Sequence, residues 1–307
     1  MDKLRIGLLN FAVPHRPKDY LKEIQELVDY ARLADELGFS RFWLAEHLLF
    51  RKKHTWTSPD MLLPLLASST GHIRIGIAGT LISIHKPIDI AMNYKMLANL
   101  FPGRIDLGLA KGGDGSGSGP GDVFAENARV LIRYLKREES LFSEGLVIPP
   151  YGGEVPEVWL LGSSYRSVGF ALELGANFSR SIFHPNHDPH ADTGRLEDYL
   201  ASFRGQYGTP PGVSLAMAAC CHEDSGRAKD IAEECLRSSE LTLEKSGIFV
   251  GSPHELLDRI HALHRMYEVS EFILLQLYRN QEDRLRGIEL IAKVFDLQPS
   301  KDFIMAV

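Results

Sequence analysis

His47 is the side chain best suited to proton transfer in this sequence. It follows the apolar run 42–46, which we interpret as a β-strand. An imidazole exchanges its proton near neutral pH, so His47 is a candidate general acid or base. Side chains alternate along a strand, so Trp43, Ala45 and His47 share one face, and only one of His47 and Glu46 is expected to face a site at the strand end. A histidine with a purely structural role is the alternative.

Lys111 is a second candidate for chemistry. It follows the apolar run 104–110 directly and precedes two glycines. Its ammonium group can pair with a phosphate or, if it is desolvated, form a Schiff base with a carbonyl substrate. A solvated loop lysine is the alternative interpretation.

A cluster of small polar residues lies where a predicted strand, 158–161, meets a predicted helix that begins at residue 165. Ser164 occupies the N-cap position of that helix, and Ser167 is its third residue. The free N–H groups and partial positive charge of a helix N-terminus favour a phosphate group. The sequence therefore indicates a phosphate site here, with simple helix capping as the alternative.

Other motifs in the chain argue against several kinds of site. The glycine-rich segment 112–121 does not fit G-x-G-x-x-G, and the chain has no Walker, G-x-S-x-G or H-E-x-x-H sequence. His184, His187 and His190 are separated by prolines, so a helix cannot align them as metal ligands. We predict no metal site.

The elements that must position these residues follow a regular pattern. Short apolar runs alternate with longer segments of helical period, which is typical of βα units around a parallel sheet. Eight such units in 307 residues, without a linker, predict a (β/α)8 TIM barrel that forms one domain over 1–307, rather than a doubly wound sheet with a second domain. The predicted strands are 4–9, 42–46, 73–81, 104–110, 158–161, 177–182, 213–220 and 271–277.

The carboxyl ends of barrel strands are where the function of such a fold is expected. Apart from the residues discussed above, this edge brings further candidates into consideration. They are Asn10, residues 78–80 and 183–185, Cys221 and Gln276.

Composition and charge indicate which kinds of binding partner and which cellular compartment to expect. Hydrophobic residues make up 44% and charged residues 24%, as in ordinary globular proteins. The net charge of −6 gives no indication of a nucleic acid or an anionic membrane as partner. There is no signal-peptide pattern and no apolar run of the roughly 18 residues that a membrane helix needs. With three cysteines, these features predict a cytoplasmic protein.

Several segments jointly resemble the bacterial-luciferase-like flavin monooxygenase family. They occur in order across nearly the whole chain. The matching segments are 33–39 (LADELGF), 42–47 (FWLAEH), 73–76 (IRIG), 85–87 (HKP), 100–108 (LFPGRIDLG), 158–164 (VWLLGSS), 173–175 (ELG) and 250–253 (VGSP).

This resemblance implies a luciferase-like TIM barrel, a cytoplasmic homodimer and a cofactor at the carboxyl face of the barrel. The cofactor is reduced FMN or, in some relatives, a deazaflavin coenzyme. The implied activity is that of a monooxygenase that receives reduced flavin from a separate flavin reductase. With dioxygen, and through a flavin 4a-hydroperoxide, it oxidises a small organic substrate.

The resemblance also implies roles for individual residues. His47 matches a histidine assigned to proton transfer near the flavin. Ala78 and Gly79 fall where relatives often have a non-prolyl cis peptide against the flavin ring. Lys111 matches a basic residue, usually arginine, that contacts the flavin phosphate, and Arg129 is matched to a second arginine at that phosphate. Gly162 and the serines Ser163, Ser164 and Ser167 match the family's site for the flavin phosphate at the start of a helix.

Three departures from the family pattern leave two alternatives open. Leu48 stands where relatives have a second histidine, Lys111 lacks the bidentate fork of arginine, and the segment 240–251 is short where relatives have a long lid. The first alternative is a flavin-binding homologue without catalysis. The second is a barrel aldolase that uses Lys111 as a Schiff-base lysine.

Overall fold

A computed structural model of the chain describes residues 3–11, 19–47, 58–111, 121–183, 193–236 and 247–299. All eight predicted strands are present, together with a short additional strand. The strands are β1 (Arg5–Asn10), β2 (Arg41–Leu44), β3 (Arg74–Leu81), β4 (Ile105–Ala110), β5 (Glu157–Gly162), β6 (Asn177–Ser181), β7 (Val213–Cys221), β8 (Phe249–Gly251) and β9 (Glu271–Gln276).

Eight of these strands close into a parallel barrel. Strands β1 to β6 pair in chain order, β6 pairs with β7, and β9 lies between β7 and β1. The additional strand β8 pairs with the end of β7, where Cys221 lies opposite Gly251. The predicted (β/α)8 barrel is therefore confirmed.

Helices surround the barrel in the order expected for βα units. They are α1 (Tyr20–Glu36), α2 (Leu63–Ser69), α3 (Pro87–Leu100), α4 (Gly121–Lys136), α5 (Glu138–Ser143), α6 (Val168–Leu174), α7 (Thr193–Tyr207), α8 (Ser225–Leu236), α9 (Pro253–Tyr267) and α10 (Gln281–Val294), with 3-10 turns at Pro59–Leu62 and Tyr165–Ser167. None of the helices in these described segments is long and apolar enough to cross a lipid bilayer.

Alternate side chains of the strands pack outward against these helices. Leu8, Phe42, Ile75 and Leu107 are fully buried in this outer core. Successive strand side chains point to opposite faces, so the intervening residues must fill the inside of the barrel.

The amino end of the barrel interior is closed by charged side chains. Asp106 is completely buried and accepts hydrogen bonds from Arg41 Nη1 at 2.7 Å and Arg74 Nη2 at 2.7 Å. Arg41 also pairs with Glu271 at 2.8 Å and with Glu157 at 3.2 Å. These residues stand near the start of their strands, so the charged layer forms the bottom of the barrel.

An aromatic layer lies above the charged one. The Trp43 and Trp159 rings meet edge to face, with centroids 5.4 Å apart, and the Trp43 indole donates to Asp106 at 2.8 Å. The Arg41 guanidinium lies 4.5 Å from the centre of the Trp159 ring. Leu9 and Ile273 pack in the same layer as the two tryptophans.

Candidate active site

A cavity of about 230 Å³ lies at the carboxyl end of the barrel, above the tryptophan layer. We call it the His47 cavity. Its walls are mostly apolar, with a few polar side chains from the strand ends. It is lined by Leu9, Phe11, Trp43, Ala45, Glu46, His47, Ala78, Gly79, Leu81, Ala110, Leu161, Gly162, Ser179, Ser181, Phe183 and Ala216.

His47 lines this cavity, three residues past the last residue of β2. It lines the cavity together with Trp43 and Ala45, and its ring meets the edge of Phe11 with centroids 5.4 Å apart. Phe11 in turn packs edge-on against Phe183, at 5.8 Å between centroids. Two aromatic rings therefore shield the imidazole on one side of the cavity.

Glu46 lines the same cavity, so the expectation that only one of the two neighbours faces the site is wrong. The physical reason is that β2 ends at Leu44, and the alternation of a strand does not extend past its last residue. The Glu46 carboxylate accepts the N–H of Leu81 at 2.8 Å and lies 2.5 Å from His85 Nε2. Sequence reasoning missed this role, although the segment with His85 was among the family-like motifs.

Ala78 and Gly79 form the predicted cis peptide, in β3 at the cavity wall. A Cβ at position 79 would lie 2.6 Å from Leu161 Cδ1 and 2.8 Å from Ala110 Cβ. Glycine is therefore required for the backbone to lie this close to its neighbours.

The predicted phosphate residues lie beside this cavity. Gly162 lines it, and Ser164 begins the 3-10 turn Tyr165–Ser167, whose last residue precedes α6. Within the described residues neither Ser164 nor Ser167 caps its helix through the side chain, so their hydroxyls are not committed to capping. Ser163 is exposed at the rim.

The structure does not bring the two predicted basic residues into this cavity. Lys111 is exposed and is not among the described residues that line it. The Arg129 guanidinium pairs with Glu173 at 2.5 Å and lies 5.3 Å from the Phe170 ring centre. A phosphate role for Arg129 requires it to leave this carboxylate. No observation favours the aldolase, because an exposed lysine lacks the desolvated surroundings that Schiff-base lysines need.

Some sequence predictions fall outside the described residues. These are Leu48, residues 112–120 of the glycine-rich segment, the three histidines at 184, 187 and 190, and residues 240–246 of the shortened lid. Across the part of the chain that the structure describes, no three His, Cys, Asp or Glu side chains are grouped so that they can hold a metal ion.

This geometry can be compared with known proteins. Residues 6–271 match the family model of the luciferase-like monooxygenases. The chain belongs to this family. It is 26% identical to the uncharacterized protein YwcH of Bacillus subtilis (strain 168), over 89% of this chain and 93% of that protein. It is also 26% identical to a luciferase-like monooxygenase of Escherichia coli (strain K12), over 88% of this chain and 82% of that protein.

Solved structures share the barrel of this luciferase-like chain. The crystal structure of apo-MsnO8 superposes with a TM-score of 0.81 at 24% identity, covering 97% of this chain and 100% of that one. A type II Baeyer-Villiger monooxygenase from Pseudomonas putida, in complex with FMN, gives 0.76 at 19% identity, covering 95% and 97%. An F420-dependent secondary alcohol dehydrogenase, in complex with an F420-acetone adduct, gives 0.73 at 13% identity, covering 95% and 99%. All three have the same fold.

Proposed function

We propose that this protein is a flavin-dependent monooxygenase that binds reduced FMN in the His47 cavity and oxidises a small organic substrate. One observation carries the proposal: His47, Gly79 and Gly162 line the same cavity. In this proposal His47 is the general acid or base, Gly79 allows the backbone to lie close to the flavin ring, and Gly162 leads into the phosphate site. Membership of the luciferase-like monooxygenase family supports the same activity.

The residues present fit a flavin. A planar ring needs close backbone approach and apolar faces, which Gly79, Leu161 and Phe183 provide. The phosphate of the cofactor would be held by Ser164 and Ser167 with nearby backbone N–H groups.

Reduced flavin, when bound, supplies the two electrons with which dioxygen is activated. The chain contributes the proton chemistry and the environment. His47 holds and transfers a proton at its ring nitrogen, while Phe11 and Phe183 keep water from that side of the cavity. The Glu46 carboxylate positions the end of β3, which carries Ala78 and Gly79, through the N–H of Leu81.

Several finer points belong to this proposal. A separate flavin reductase would supply the reduced cofactor, and FMN is proposed ahead of a deazaflavin coenzyme. Structures of the same fold hold FMN in one case and an F420 adduct in another, so a binding test must include both. A cytoplasmic location and a single domain over 1–307 stay predictions of the sequence.

The phosphate site can be tested by comparing FMN with riboflavin, which has the same ring system but no phosphate. Wild-type protein is expected to bind FMN more tightly. Replacing both Ser164 and Ser167 with alanine should weaken FMN binding by at least about 100-fold, because hydrogen bonds to a charged group contribute roughly 1.5–3 kcal/mol each. Riboflavin binding should stay within about 2-fold, since the lost hydroxyls face only the phosphate. Quenching of flavin fluorescence measures both affinities.

Ser143→Ala, on the exposed side of α5, is the matched control and should leave both affinities unchanged. An equal loss for FMN and riboflavin in the double variant would place the serines against the ring and contradict the phosphate assignment. A wild-type protein that binds neither FMN, riboflavin nor coenzyme F420 would contradict the proposed function itself.

The homodimer is also proposed, and an exposed apolar face supports it. Met92, Met96 and Leu100 follow one another at four-residue intervals on α3, with exposed fractions of 40%, 58% and 52%. Met61 and Leu65, on the 3-10 turn Pro59–Leu62 and on α2, are also exposed, at 72% and 42%. Exposed apolar side chains in a row on one helix face are typical of a protein interface, and we propose a second copy of this chain as the occupant of the α3 face.

Met96→Glu is expected to convert the dimer into monomer, because the new carboxylate would lose its water without gaining a partner. Light scattering after size-exclusion chromatography measures the mass, and circular dichroism checks that the exposed substitution leaves the fold intact. Gln206→Glu adds the same charge on the exposed side of α7 and should leave the dimer unchanged. A wild-type monomer, or a dimer that persists in Met96→Glu, would refute this interface.

A further inference from the structure

A second cavity, of about 290 Å³, adjoins the His47 cavity at the carboxyl ends of β1 and β9. We call it the Tyr278 cavity. Leu9 and Phe11 line both cavities, so the two spaces share a wall. The Tyr278 cavity is lined by Leu9, Asn10, Phe11, Glu234, Cys235, Leu275, Gln276, Leu277, Tyr278 and Arg279.

The polar side chains of the Tyr278 cavity differ in their hydrogen bonds. The Gln276 amide is committed to internal bonds, since its Oε1 accepts from the Tyr30 hydroxyl at 2.9 Å and its Nε2 donates to the Arg284 carbonyl at 3.3 Å. Asn10 Nδ2 donates to the Tyr278 hydroxyl at 3.4 Å, a long contact. The pair brings an amide and a hydroxyl together beside the apolar side chains of Leu9, Leu275 and Leu277.

The wall that carries Tyr278 is held in place from behind. The Arg284 guanidinium, only 2% exposed, lies 3.9 Å from the Tyr30 ring centre and 4.7 Å from that of Tyr278. Position 287 is glycine, and a Cβ there would collide with the Gln276 amide. Stacking and close packing therefore fix this wall before any ligand arrives.

The charges at the edge of the cavity balance one another. Arg279 pairs with Glu234 at 3.5 Å and with Asp283 at 3.2 Å, and Asp283 also pairs with Arg227 at 3.7 Å. These two cations and two carboxylates offset one another. The Arg284 guanidinium behind the wall is covered by the Tyr30 and Tyr278 rings and does not line the cavity. An ionic ligand would lose its water there without gaining a counter-charge.

We propose that the Tyr278 cavity binds the organic substrate, and that this substrate is an uncharged, largely apolar molecule with one carbonyl or hydroxyl group held by Asn10 and Tyr278. The inference rests on the proposed function, because the shared wall of Leu9 and Phe11 is what brings a ligand of this cavity next to the flavin site. The apolar part of the substrate would pack against Leu275 and Leu277.

Isothermal titration calorimetry on the FMN-loaded protein tests the ligand class with three probes that share one ring system. These are 2-acetylnaphthalene, which is neutral with a carbonyl, 2-ethylnaphthalene, which lacks the polar group, and 2-naphthoate, which is charged. The ketone is expected to bind at least about 10-fold more tightly than the carboxylate. Equal or tighter binding of the carboxylate would overturn the neutral class.

Two matched variants test which cavity binds the ketone. Leu275→Trp fills the Tyr278 cavity and should abolish ketone binding while FMN still binds. Leu161→Trp fills the His47 cavity and should abolish FMN binding while the ketone still binds. Tyr278→Phe, a milder change, should weaken the ketone about 3–10-fold and leave 2-ethylnaphthalene unchanged, since only the ketone loses a hydrogen bond.

The outcomes separate the two proposals. Ketone binding that is unchanged in both Leu275→Trp and Tyr278→Phe overturns this inference, whatever FMN does. A protein that binds the ketone, loses it in Leu275→Trp and binds no flavin would support the cavity and its ligand class, but it would overturn the proposed reaction.

Discussion

The Asp106→Asn variant is expected to lose about 3–5 kcal/mol of its free energy of unfolding at pH 7, the usual cost of removing one partner from a buried ion pair. Asp106 is fully buried and is the shared acceptor for Arg41, Arg74 and the Trp43 indole. Its neutral amide replacement would leave two guanidinium groups facing each other with less compensation. Urea denaturation followed by tryptophan fluorescence measures the change.

The same variant predicts a change in acid stability. Burial by itself raises the pKa of the Asp106 carboxyl, but Arg41 and Arg74 outweigh burial and hold that pKa below its ordinary value. A pKa that is lower in the folded than in the unfolded chain stabilises the protein above the unfolded value, about 4, and this contribution is lost as the pH falls through the folded pKa. The free energy of unfolding of the wild-type protein should therefore decrease as the pH drops below about 4. In Asp106→Asn the part of this decrease that comes from protonation of Asp106 should be absent.

Glu144→Gln is the matched control for both measurements. Glu144 pairs with Arg133 on the exposed surface, where water screens the interaction, so stability at neutral pH should change little. If Asp106→Asn were as stable as wild type, the charged layer would not contribute to holding the barrel closed.

The His47→Asn variant is expected to lower the rate of oxygen-dependent product formation by about 10²–10⁴-fold, the usual contribution of a positioned acid or base. Asparagine keeps a hydrogen-bonding side chain but cannot titrate, so the variant separates proton transfer from simple packing. FMN affinity should stay within a few-fold, since the neighbouring walls of the cavity remain. The measurement is single-turnover conversion with photochemically reduced FMN, dioxygen and the bound substrate, followed by mass spectrometry.

His254→Ala is the control for this experiment, because His254 is exposed on α9. It should leave both the rate and the FMN affinity unchanged. If His47→Asn turned over as fast as wild type, His47 would have a structural role beside Phe11 rather than a role in proton transfer. If the wild-type protein bound FMN but formed no product, the result would favour the non-catalytic flavin-binding homologue.

The sequence was a reliable guide to the barrel. Each strand is a local run of apolar residues, and each helix has its own period, so neither depends on contacts that are distant in the chain. The strand β8 was missed, because three residues are too few to form a recognisable pattern. His47 lines the cavity although β2 ends three residues before it, so the alternation in β2 does not by itself explain its position.

The surroundings of Arg129 could not be predicted in the same way. Its position in the chain suggested a phosphate contact, but the packing of α4 beside α6 places Glu173 within reach of the guanidinium. Glu173 is 44 residues from Arg129 in the chain, so no local sequence pattern indicates that the two residues pair.

Periodicity and motif spacing in this chain were enough to establish an eight-unit barrel and the position of Ser164 and Ser167 at the start of a helix, because each depends on neighbours in sequence. Folding was needed to create the charged layer around Asp106 and the wall between the two cavities. Both depend on closing the barrel, which brings β9 beside β1 and places Tyr278 within 3.4 Å of Asn10, 268 residues earlier. Contacts across such separations are set by how the strands tilt and pair around the whole barrel, and no local pattern of residues encodes them.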